Sequence, residues 1–121
     1  ATDGVKLYAA DHGTGDIWEI GLTTPPSERI IANVNKPEGL ALDNEGRLLV
    51  VETGTSSLLR IDLPNGGGVT TLAEGLDLFG PGLGSPPTWG FDGVAVGPSG
   101  DIYLSGAGAT VVYKITANKV R

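Results

Sequence analysis

The sequence predicts an all-β protein made of β-propeller blades, each a four-stranded antiparallel meander. Two internal repeats and one compositional fact predict it. Residues 37–63 overlie the stretch that begins at 91 with a shift of 54 and no gap. Gly39 then meets Gly93, Gly46 meets Gly100, Leu48 meets Ile102 and Ile61 meets Ile115. The same residues overlie 4–22 with a shift of 41, so that Leu7 meets Leu48, Gly13 meets Gly54 and Ile20 meets Ile61. A period of about forty residues, carried by strand-like units, is the mark of a propeller or solenoid. The 121 residues hold 20 Gly and 8 Pro, which suits many tight turns. No window shows helical periodicity with caps at both ends.

Taken in order, the first unit spans 1–34 and is incomplete. Its apolar runs predict strands at 5–9, 16–20 and 28–32, with none ahead of them. Pro25 and Pro26 fill the turn before the last of these. The second unit, 35–75, is complete, with strands expected at 38–43, 47–52, 57–62 and 69–73. Asp43-Asn44-Glu45-Gly46 supplies its first turn, with Gly46 able to take positive φ. Thr53 to Ser56 is a small polar turn, and Pro64-Asn65-Gly66-Gly67-Gly68 ends the third strand. The first strand alternates weakly, as expected where both faces are covered.

The repeat then lengthens by 13 residues, within 76–90. Pro, Gly and the large apolar Leu78, Phe79 and Trp89 mark an ordered inserted loop more than a linker. The third unit, 91–121, predicts strands at 92–96, 101–105 and 110–116, and the start of another at 118–121. Leu40, Leu42, Leu48, Val50, Leu58, Ile61, Val94, Val96, Ile102, Leu104, Val112 and Ile115 are expected to be buried.

The formal charge is −6, from 14 acidic and 8 basic residues. Nucleic acid and anionic membrane surfaces are therefore not expected partners. No apolar run is long enough to span a bilayer. With no Cys there is no disulfide and no thiolate chemistry. Met is also lacking, and the ATDG start suits the mature side of a signal-peptide cut, so a secreted or periplasmic protein is expected.

PEGLALDNEGRLLV, from Pro37, and FDGVAVGPSGDIYL, from Phe91, resemble the repeat of NHL-type propellers. They are also similar to the senescence-marker-protein and gluconolactonase family, whose blades start their inner strands with like motifs. The resemblance covers almost the whole chain outside 75–90. It implies a ring of about six blades. One full unit and two partial ones cannot close such a ring alone. Either these residues belong to a longer propeller, which the incomplete first unit favours, or copies associate.

Strands of a meander alternate in direction, so Glu38, Asp92 and the turn holding His12 share one end with the inserted loop. In the resembling lactonases, acidic and Asn residues at inner-strand starts bind metal. Phe91-Asp92-Gly93 matches that position, whereas Glu38 stands where Asn is common. The implied ion is calcium, held by Glu38 and Asp92 with further oxygens. The alternative is that each carboxylate bonds backbone N–H groups or faces solvent. His12, the only histidine, is either a general base or a solvated turn residue. Trp89, Phe91 and His12 are the candidate ligand contacts.

Two functions follow. The first is a binding platform for a protein, peptide, glycan or small molecule through the loop-rich end. The second is a divalent-metal-dependent lactonase or esterase, in which the cation polarises a carbonyl and activates water.

Overall fold

The computed structural model describes residues 1–63, 68–78, 92–106 and 111–116. Among them the chain forms β1 (Lys6–Ala10), β2 (Asp16–Gly21), β3 (Ser27–Asn33), β4 (Pro37–Leu42) and β5 (Leu48–Glu52). It continues with β6 (Ser57–Ile61), β7 (Val69–Ala73), β8 (Val94–Val96), β9 (Ile102–Gly106) and β10 (Val111–Ile115). Each strand end falls within two residues of its expected place. The strand expected at 118–121 lies outside the described residues. A single 3-10 turn, Thr53–Thr55, forms the polar turn between β5 and β6.

The strands build three antiparallel sheets, ordered β1-β2-β3, β4-β5-β6-β7 and β10-β9-β8. Consecutive strands pair, so each sheet is a meander. The turn chemistry repeats with the sequence. The Asp43 N–H donates to the Arg47 carbonyl at 2.9 Å and the Gly46 N–H to the Asp43 carbonyl at 3.0 Å. The same bonds recur from Gly97 to Asp101 at 2.8 Å and from Gly100 to Gly97 at 3.0 Å. Gly46 and Gly100 both take positive φ, +75° and +88°, a conformation that costs glycine little.

The middle sheet is covered on both faces. Leu48, Val50, Leu59 and Ile61 pack against Tyr8 and Ile17 of the first sheet. Leu49, Val51 and Leu58 pack against Ile102 and Leu104 of the third, with Leu78 alongside. All of β5 and β6 is buried as a result. Each such aliphatic side chain contributes roughly 1.5–3 kcal/mol on transfer from water.

One expectation needed correction. Val112, expected in the core, is 71% exposed. Its repeat equivalent Leu58 is fully buried because the third sheet covers that face; no described sheet covers the matching face of the third. Among the described residues no strand precedes β1, as expected, but the place beside it is taken. Ala1 and Thr2 occupy it: the Tyr8 N–H donates to the Ala1 carbonyl at 2.7 Å, the Ala1 ammonium to the Tyr8 carbonyl at 3.0 Å, and Thr2 bridges Leu7.

Candidate functional site

The three sheets meet at one end around Glu38. Pro37 pairs with Glu52, and the next pair of the ladder is Leu40 with Val50. Glu38 and Gly39 thus oppose the single residue Val51, which makes a β-bulge. Bulges re-aim side chains, and they concentrate near functional sites. Here the Glu38 side chain is carried inward and is only 4% exposed.

Its two oxygens look to different sheets. Oε2 accepts the Asp92 N–H at 2.8 Å. Oε1 lies 3.8 Å from His12 Nδ1, too far for a hydrogen bond but close enough for charge to matter. His12 sits in the turn between β1 and β2. The Asp11 carboxylate shapes that turn by accepting the Gly13 N–H at 2.9 Å and the Thr14 N–H at 3.1 Å. The Val34 N–H then donates to the Gly15 carbonyl at 2.9 Å, tying the turn to the segment that leads into β4. Among the described residues His12 Nδ1 is buried without a hydrogen-bond partner.

Asp92 opens the third unit and is fully buried. It can come this close because Gly39 has no side chain. A Cβ there would lie 2.7 Å from the Asp92 carbonyl oxygen and 3.1 Å from Gly93 Cα. Gly93 is fixed in turn by Ser105, whose hydroxyl accepts its N–H at 2.7 Å and whose N–H donates to its carbonyl at 3.0 Å.

Burial pushes the Glu38 carboxyl above the usual carboxylate range, and the neighbouring Asp92 charge adds to this. The Asp92 N–H and His12 act in the opposite sense without cancelling it. Glu38 therefore holds a proton more readily than a free glutamate.

Beside His12 an open groove of about 490 Å³ runs past Thr14, Asn33, Asn35, Lys36 and Glu52. Glu52 organises its floor. One carboxylate oxygen accepts the Asn35 N–H at 2.7 Å and the other accepts the Thr55 hydroxyl. Polar backbone and side-chain groups thus line the groove next to one buried carboxylate.

Of the residues singled out in the sequence, Glu38, Asp92 and His12 are brought together. Trp89 and Phe91 lie outside the described residues. For a metal, the fit is partial. No group of three His, Cys, Asp or Glu is arranged to hold an ion among the described residues, and calcium takes about six to eight oxygens. Sequence reasoning missed Glu52, which looked like an ordinary strand end. It also missed Glu19, 6% exposed, which bonds Arg29 at 3.1 Å and Lys6 at 3.2 Å. The register Glu19↔Arg29 across the β2–β3 hairpin was the available signal.

No family model matches this chain, and no curated protein matches it. Among the described residues no helix is long and apolar enough to cross a membrane.

Proposed function

We propose that the three sheets are successive blades of an NHL-like β-propeller of about six blades, acting outside the cytoplasm as a binding platform. The ligand binds at the end where Glu38, His12 and Asp92 meet. Support for the architecture comes from meander order, face-to-face stacking and repeated turn geometry. The single observation that carries the function is the convergence of three repeat units on one buried carboxylate beside an open polar groove.

The chemistry of that end narrows the ligand. Buried acids and a net charge of −6 favour a cationic or donor-bearing group. A protein, a peptide, an amine-bearing glycan or a small molecule can each present one. Lys36, Asn33 and Asn35 along the groove offer further hydrogen bonds.

A second reading is favoured by one contact, His12 beside Glu38. It is a divalent-metal-dependent hydrolase of lactones or esters, with Glu38 and Asp92 as ligands to calcium and His12 as proton carrier. A bound cation would supply carbonyl polarisation and activation of water.

Arrays of glycans and of Lys- or Arg-bearing peptides test the platform reading. Wild type is expected to retain a ligand roughly tenfold better than Glu38→Gln and His12→Ala, about 1.4 kcal/mol. No retained ligand, or equal retention by all three proteins, overturns it. Calorimetry with calcium chloride separates the hydrolase reading, which requires a binding heat that Asp92→Ala removes.

A further inference from the structure

We infer that the groove beside His12 is a carboxylate-binding subsite read by Lys36. The inference rests on the platform reading above and deepens it: the ligand meets Glu38 with a hydrogen-bond donor and lays a carboxylate in the groove. Two independent observations carry it, the backbone of Lys36 and the hydrogen bonds already made by its neighbours.

Lys36 has φ +54°, in the left-handed region that side chains rarely adopt. It also precedes Pro37, and the residue before a proline is pushed towards extended backbone. The 3-10 turn holds it in place. The Lys36 carbonyl accepts the Thr53 N–H at 3.1 Å and the Thr53 hydroxyl at 2.8 Å. The Asn35 carbonyl accepts the Gly54 N–H at 3.0 Å. A Cβ on Gly54 would overlap the Asn35 side chain, so the link into β4 lies directly on this turn. These bonds use the main chain of residues 35 and 36, and asparagine or glycine at 36 would make them with less strain. The backbone therefore gives no reason for a lysine. Strained residues of this kind gather at ligand sites, where the side chain supplies the reason.

The groove lining points the same way. Glu52 is the carboxylate that lines it, and both its oxygens are engaged, one by the Asn35 N–H at 2.7 Å and the other by the Thr55 hydroxyl. Asn33 Nδ2 donates to the Thr14 carbonyl at 3.1 Å and to Asp16 Oδ1 at 2.8 Å. Lys36 is exposed, and among the described residues it enters none of the ion pairs. The anion of the groove is thus spent and its cation is not. Local charge here is opposite in sign to the chain's −6.

His12 joins the subsite to the buried acid: it lines the groove, and its Nδ1 lies 3.8 Å from Glu38 Oε1. One small ligand can therefore meet both. A carboxylate suits the groove better than a phosphate. A phosphate carries close to two charges, and a chain of net charge −6 repels a dianion more than a monoanion. One ammonium balances one carboxylate. An acidic sugar and a peptide C-terminus both present that group.

Matched acids and amides test the inference, since each pair differs in the carboxylate alone. Glucuronate against glucuronamide probes the sugar source, and the dipeptide Gly-Ser against its C-terminal amide probes the peptide source. Binding is read from the amide resonances of Thr14 and Asn35. Wild type is expected to prefer the acid of one pair by roughly two- to fivefold, the range of an exposed ion pair, and less so at high salt. Lys36→Met keeps the strained backbone and removes the charge, so it should bind acid and amide alike. Lys36→Asn should also lose the preference while unfolding at a higher urea concentration than wild type, because asparagine tolerates the left-handed region. Equal binding of acid and amide by wild type, binding of neither pair, or a preference that Lys36→Met keeps overturns the inference. So does a lower urea midpoint for Lys36→Asn, which would make the lysine a structural residue. The Glu38 end is judged separately: a ligand retained on the arrays and weakened by Glu38→Gln upholds the platform even where Lys36 proves indifferent to the acid.

Discussion

Gly39→Ala and Gly93→Ala form a matched pair, at one repeat position in two surroundings. On Gly39 a Cβ would lie 2.7 Å from the Asp92 carbonyl oxygen, 3.1 Å from Gly93 Cα and 3.2 Å from Val94 N. All three are backbone atoms, so no rotamer change relieves the clash and β8 must move from β4. On Gly93 the nearest atom among the described residues, Ser105 Oγ, is 3.9 Å away. Neither glycine takes positive φ, so strain at the residue itself is not at issue. Overpacking costs about 1–3 kcal/mol, offset by about 0.4–1 kcal/mol from the stiffer unfolded chain. Gly39→Ala is thus expected to lose roughly 1–2 kcal/mol of stability, and Gly93→Ala to be neutral or slightly stabilised. Urea unfolding at unchanged m-value reads the difference. The amide resonance of Asp92, which donates to Glu38, should shift in Gly39→Ala. Equal costs for the two variants, or an unmoved Asp92 amide in Gly39→Ala, would refute the reasoning.

Three further substitutions probe the buried acids. Glu38→Ala strands the Asp92 N–H and should cost about 1–3 kcal/mol, whereas Glu38→Gln keeps an acceptor. Because the folded carboxyl is raised, wild type loses stability as pH climbs from the ordinary carboxylate range through the folded value. Glu38→Gln lacks that loss, so thermal melts should show it gaining on wild type over this window and not below it. Glu19 has the opposite sign. Burial raises its carboxyl, but Arg29 and Lys6 outweigh burial and leave it below the usual range. Its contribution is present above the unfolded value and is lost as pH falls through the folded one. With both cations partly exposed, Glu19→Gln should cost on the order of 1 kcal/mol, less at high salt. Denaturant melts at two salt concentrations check this.

The strands were legible because turns were. Asp43 to Gly46 and Gly97 to Gly100 mark hairpins by residue type alone, and the apolar runs between such turns have nowhere to go but strands. Burial was less legible. Leu58 and Val112 are equivalent in the repeat, yet one is fully buried and the other exposed, because burial depends on what packs outside the unit. At the site, the equivalence of Glu38 and Asp92 could be read from their glycine neighbours. Their direct contact could not. It depends on the bulge at Glu38 and Gly39, and a period-two pattern does not register one extra residue. The groove past Asn35 and Glu52 was hidden for a similar reason, since it lies between turns of different sheets.

Coverage of the middle sheet on both faces also bears on motion. In a stack where each layer touches only its neighbours, opening is graded, slowest at the centre and faster outward. Amide hydrogens of β5 and β6 should exchange last. The outer layers can open independently of each other, since neither packs on the other through a described core. Glu38 stands between them, facing His12 on one side and Asp92 on the other. A ligand gripping all three would link two separate fluctuations into one, and protection would rise in both outer layers at once.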